Sequence, residues 1–124
     1  MVRRRGFTLI ELLVVLAVIA TLLTLALPRY LGSIDKSKEA VLRENLYQVR
    51  EAISRYYADK GRYPESLETL VEARYLRGVP LDPVTESSAT WVAVTPPDPE
   101  KTGIYDVRSG AAGTAIDGTE YQRW

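Results

Sequence analysis

Two hydrophobic patterns divide the chain. From Phe7 to Leu27 it reads FTLIELLVVLAVIATLLTLAL, 21 residues apolar on every side with a single charge, Glu11. A helix of that length rises roughly 31 Å, close to the hydrocarbon thickness of a bilayer. Leu and Ala favour the helix, and β-branched Val and Ile are tolerated where no face has to be polar. After Gly32 the pattern turns amphipathic. Leu42, Leu46, Val49, Ile53 and Tyr56 recur at steps of 4, 3, 4 and 3, an apolar stripe on one helix face. Glu39–Arg43 and Glu51–Arg55 stand in the favourable acid-before-base spacing on that helix. Pro28, between the two patterns, has no backbone donor and predicts a kink or local unwinding. Asp59-Lys60-Gly61 predicts the helix stop.

The remainder, from residue 61 to residue 124, reads as a small α/β head. Gly61-Arg62-Tyr63-Pro64 is turn chemistry, and Ser66 is placed to cap a short helix carrying Leu67, Leu70 and Val71. Gly78-Val79-Pro80-Leu81-Asp82-Pro83 predicts an ordered loop in which Asp82 fixes a turn. Thr90–Val94 and Ile104–Val107 have strand composition, and a third short strand is expected between Thr119 and Trp124. Strands this few and short bury little alone, so the sheet must lean on the Leu42–Tyr56 stripe. The predicted class is α+β: a long N-terminal helix, membrane-spanning in its first half and amphipathic in its second, on a small antiparallel sheet.

Composition narrows the chemistry. With no Cys and no His, disulfides, thiolate metal sites and the usual general base are all missing. No nucleophile–base pair or phosphate-cradling Gly loop stands out, so the sequence reads as structural rather than enzymatic. Lys+Arg and Asp+Glu balance at 16 each, and net charge makes no case for nucleic acid. Arg3, Arg4 and Arg5 break the balance locally; without them 13 basic residues face 16 acidic ones. Placed before the apolar run, they predict a cytoplasmic N-terminus. A removable secretory signal fits less well, because the run exceeds the usual ~7–15 apolar residues and no small-residue cleavage site follows it. Glu11 is the oddity, since an unpaired acid inside a spanning helix costs about 2–3 kcal/mol. Either it snorkels to the interface or it awaits a cation from another subunit.

The string Arg3-Arg4-Arg5-Gly6 followed by Phe7-Thr8-Leu9-Ile10-Glu11 resembles the leader and mature start of type IV pilins and type II secretion pseudopilins. The resemblance implies a type IV pilin-like fold and a leader of residues 1–6. A prepilin peptidase would cut between Gly6 and Phe7, and Phe7 would be N-methylated. It further implies a filament-core segment at residues 7–27, an amphipathic continuation at 28–60 and a head at 61–124. Glu11 would pair with the Phe7 ammonium of a neighbouring subunit. Pro28 would accompany partial helix melting, although the Gly usual to the family near Ala20 is missing.

Gly61-Arg62-Tyr63-Pro64, Leu81-Asp82-Pro83, Tyr105-Asp106, Gly110–Gly113 and Trp124 resemble the major pseudopilin most, with Val84 standing where the family has Trp. The family's acidic calcium loop is shortened here and carries Ala112 at an expected Asp. Asp117, Asp106 and Glu120, with oxygens from Ser109, Thr114 and Thr119, are the candidate Ca2+ ligands. The competing reading makes Asp117-Gly118 a plain hairpin turn.

The implied function is a structural subunit of a type II secretion pseudopilus, built from the bacterial inner membrane into a filament that drives protein export. Before assembly the subunit would cross the membrane once with its N-terminus in the cytoplasm; afterwards it would lie in a periplasmic or extracellular filament. Implied partners are further copies of the chain, prepilin peptidase, an assembly platform protein with its ATPase, and minor pseudopilins. A type IV pilin for adhesion, motility or DNA uptake is the alternative, and only DNA uptake would bring nucleic acid in. A monomeric membrane-tethered binding domain is the alternative from another class; it would have no use for Glu11 or a Gly6–Phe7 junction.

Overall fold

The structure is a computed structural model and describes residues 6–124. Helix α1 runs from Leu9 to Lys60, and the chain divides after Asp35 into two compact units.

The described part of the first unit is residues 6–35, most of it α1. Its large apolar side chains from Phe7 to Leu31 are between 48% and 90% exposed, left uncovered by the described residues. The stretch is long and apolar enough to cross a membrane. The helix is continuous through Pro28. One missing donor removes one ladder bond, and the turns on either side hold. Thr21 and Thr24 each donate their hydroxyl to the carbonyl four residues back, Ala17 and Ala20, at 2.8 Å. Such back-bonding occupies helical carbonyls and favours a bend.

The second unit, Lys36–Trp124, has its own core. Leu42, Leu46, Val49, Ala52, Ile53 and Tyr56 of α1 are buried against Leu70, Ile104 and Val107. That is the predicted stripe, with Ala52 added. Tyr47, by contrast, is exposed. α1 stops at Lys60, where Gly61 takes φ 70° and donates its N–H to the Tyr57 carbonyl at 2.8 Å. α2, Leu67–Glu72, is capped by the Ser66 hydroxyl accepting from Thr69 N at 3.2 Å.

The sheet is a single antiparallel pair, β1 (Val92–Val94) and β2 (Asp106–Arg108), in the register Val92–Arg108, Ala93–Val107 and Val94–Asp106. Val107 is fully buried on the helix stripe. The expected third strand is instead a 3-10 turn at Tyr121–Arg123, preceded by one bridge between Thr114 and Glu120. The turn brings Tyr121 and Trp124 edge to face at 5.3 Å, packed on the core, which an extended strand would have separated.

Of the two ion pairs expected along α1, Glu51–Arg55 forms, at 4.0 Å. Glu39–Arg43 does not. Glu39 accepts from Ile116 N at 2.7 Å and from the Tyr121 hydroxyl at 2.9 Å, while Arg43 turns to Asp117. Charge-assisted bonds to a fixed backbone and phenol outweigh an exposed helix pair worth only about 0.3–0.5 kcal/mol.

Candidate functional site

The start of α1 is a built helix cap. Thr8 stands just before the first helical residue, and its hydroxyl accepts from Glu11 N at 3.1 Å. Glu11 returns the contact, its Oε2 accepting from Thr8 N at 3.3 Å. Two backbone donors without helical partners are thus satisfied reciprocally, and the carboxylate lies at the positive end of the helix dipole. Gly6 and Phe7, just ahead of the cap, are exposed, Phe7 at 90%. The structure therefore gathers Gly6, Phe7 and Glu11 at one exposed helix end. Thr8 is the member that sequence reasoning passed over. Its signal was present, a Thr followed three residues later by Glu at the head of an apolar run. Arg3–Arg5 lie outside the described residues.

At the other end of the chain, the loops of the head are fastened by side chains. Asp82 is fully buried and is held by short bonds. Its Oδ1 accepts from Val84 N at 2.9 Å, closing its own turn, and its Oδ2 accepts from the Ser109 hydroxyl at 2.6 Å. Ser109 Oγ in turn accepts from Ala111 N at 3.1 Å. One carboxylate thus joins the loop after residue 80 to the loop after β2. Gly110 sits beside this junction because a Cβ there would come within 2.1 Å of the Thr90 carbonyl oxygen.

The three carboxylates considered for calcium stand apart from one another in their contacts. Asp106 Oδ1 accepts from Arg50 Nε at 2.8 Å. Asp117 Oδ1 accepts from the Thr119 hydroxyl at 2.6 Å and Thr119 N at 3.0 Å, and its Oδ2 faces Arg43 Nη2 at 3.3 Å. The Thr119 hydroxyl and amide first, and the Arg43 charge after them, hold the Asp117 carboxyl below its ordinary pKa. Glu120 faces Arg123 at 3.5 Å. Asp117-Gly118 is a tight turn: Gly118 takes φ 88°, and Ala115 N bonds Thr119 O at 2.7 Å across it. An open groove of about 650 Å³ runs past these residues, walled by Arg43, Tyr47, Arg50 and Trp124. Arg43 lies 4.2 Å over the Trp124 ring.

A capped, uncovered apolar helix whose amphipathic continuation carries a small antiparallel sheet is the design of pilin-like proteins. Comparison with known proteins agrees. A family model described as the prokaryotic N-terminal methylation motif matches residues 1–27. The type II secretion system core protein G of Escherichia coli K12 is 30% identical, across 96% of this chain and 92% of that protein. The core protein G of Klebsiella pneumoniae is 31% identical across 67% of this chain and 71% of that protein. The fimbrial protein EcpC of Eikenella corrodens is 32% identical across 94% and 78%. No solved structure matches significantly. Within the pilin-like class, the chain belongs to the family of type II secretion system core protein G, the major pseudopilins.

Proposed function

We propose that the chain is a structural subunit of a type II secretion pseudopilus, assembled from the bacterial inner membrane into a filament that drives protein export. The observation that carries this reading is the N-terminal constellation. An exposed Gly6–Phe7 junction precedes a carboxylate at the head of an apolar helix that the described residues leave uncovered. The type II secretion system core protein G of Escherichia coli K12, matched over nearly its full length, supports the same reading.

In this reading a prepilin peptidase cleaves after Gly6 and methylates the new Phe7 amine. Cleavage removes Arg3–Arg5 and leaves an ammonium at the membrane boundary. The uncovered helices then bury one another, and Glu11 of one subunit meets the Phe7 ammonium of the next. The pair acts as a register device. A helix stacked out of step leaves one buried charge without its partner, an arrangement that costs several kcal/mol. In the subunit before assembly, the cap from Thr8 satisfies part of the Glu11 carboxylate. The single-pass anchor has its N-terminus in the cytoplasm, and the assembly platform, its ATPase and minor pseudopilins are the further partners.

Glu11→Gln tests the pairing without disturbing the cap, since Gln serves in a capping box as Glu does. The variant is expected to insert, to be processed and to fold, yet to yield few sheared filaments. Wild-type filament yield from it would refute the ion pair. The match to EcpC favours a fimbrial filament as the second reading. Neighbouring genes separate the two: a secretin with a secretion ATPase marks export, and a retraction ATPase marks a motility pilus.

A further inference from the structure

Each of the three acids that could have served calcium faces an arginine: Asp106 faces Arg50, Asp117 faces Arg43 and Glu120 faces Arg123. Arg50 does the most. Beyond its 2.8 Å bond to Asp106, its Nη2 donates to the Val107 carbonyl at 3.0 Å and to the Trp124 carbonyl oxygen at 2.8 Å. It thereby ties α1 to β2 and to the end of the C-terminal segment. One carboxylate oxygen and two carbonyl oxygens are the donor types a calcium ion collects. Here a guanidinium collects them, and its planar fork supplies the N–H groups in fixed directions.

Calcium itself is poorly served by these residues. It takes about six to eight oxygens at short range. Among the described residues no three acids converge, and both oxygens of Asp117 are already engaged by Thr119 and Arg43. A divalent ion drawn to Asp117 would also meet the Arg43 charge beside it.

We propose that Arg50 replaces a metal in this head, an internal cation that closes the C-terminal segment on α1, so that the head folds and stays folded without calcium. The proposal reaches beyond membership of the family: it makes the stability of this subunit independent of the divalent ions around it.

The test uses the full chain in detergent micelles, unfolded by heat and followed by tryptophan fluorescence, with chelator or with millimolar calcium chloride. The wild-type midpoint is expected to be the same in both. Arg50→Met keeps most of the apolar stem and removes all three donated bonds; its midpoint is expected to fall by about 5–10 °C in either solution. Arg50→Lys keeps the charge but cannot reach three oxygens at once. It is expected to fall less, and to speed amide exchange across residues 107–124 more than in α2. Should the Met variant fail to fold, the Lys variant and the wild-type calcium series decide the matter. A wild-type midpoint raised several degrees by calcium, with the rise lost in Asp117→Asn, would overturn the proposal. So would an Arg50→Met protein that melts like the wild type.

Discussion

Replacing Asp82 with alanine is expected to be among the most damaging single changes in the head. The carboxylate is fully buried and holds two short bonds, from the Ser109 hydroxyl at 2.6 Å and Val84 N at 2.9 Å, with a longer and weaker one from Thr85 N at 3.4 Å. Hydrogen bonds to a charged group contribute about 1.5–3 kcal/mol each. Alanine removes both and leaves the buried Ser109 hydroxyl and the half-buried Val84 amide without that acceptor, for a total loss of about 3–5 kcal/mol. In a domain of this size each kcal/mol moves the melting midpoint by about 4–8 °C, so a fall of about 15–30 °C is expected. Trp91 reports the event, since its indole N–H is bonded to the Pro80 carbonyl at 2.8 Å in the same loop. Asp82→Asn keeps an acceptor for Val84 and offers an amide to Ser109 Oγ, so it should lose only about 1–2 kcal/mol. Ser109→Ala removes the partner, and the double variant should fall short of the summed single losses by about 1 kcal/mol or more. An Asp82→Ala protein melting within two or three degrees of wild type (~0.5 kcal/mol) would refute the account of the loop junction.

Intact-mass and N-terminal peptide analysis of membranes from a host with prepilin peptidase should find a mature chain starting at methylated Phe7; an uncut Met1 terminus would count against it. Gly110→Ala should lower the melting midpoint sharply, because its methyl would overlap the Thr90 carbonyl oxygen, whereas Gly118→Ala meets open space and only backbone strain at φ 88°. Acid melts should separate Asp117→Asn from wild type. A carboxyl held below its ordinary pKa stabilises the fold above the unfolded value and loses that contribution as pH falls through the folded one, so the two proteins should converge below pH about 4. Identical slopes with pH in both proteins would show that Asp117 carries no such linkage.

Periodicity made most of the helix legible. The Leu42–Tyr56 stripe, the stop at Gly61 and the Ser66 cap all depend on neighbours within a few residues, and each is found where the pattern puts it. What the pattern missed depends on residues far apart in sequence. Glu39 gives up its i,i+4 partner for Ile116 and Tyr121, 77 and 82 positions away, and no local rule contains that choice. The third strand expected at Thr119–Trp124 fails for a related reason, because the packing of Tyr121 with Trp124 outweighs β-propensity in so short a segment. At the N-terminus the charge of Glu11 drew attention away from Thr8, whose role needed only a three-residue spacing to be read.

The hydrogen bonds that close the head span great lengths of chain, Arg50 to Trp124 across 74 positions and Arg43 to Asp117 across 74. This separation sets the order of folding events. A helix propagates from local contacts as soon as its residues are available, whereas long-range closure must first bear the entropy of a large loop. α1 and α2 are therefore expected early, and the docking of residues 104–124 late. During that interval the stripe of Leu42, Leu46 and Val49 is open to solvent and to other chains. A chain still folding thus passes through a window of exposure to proteases and chaperones. The window ends when the C-terminal segment reaches Arg50.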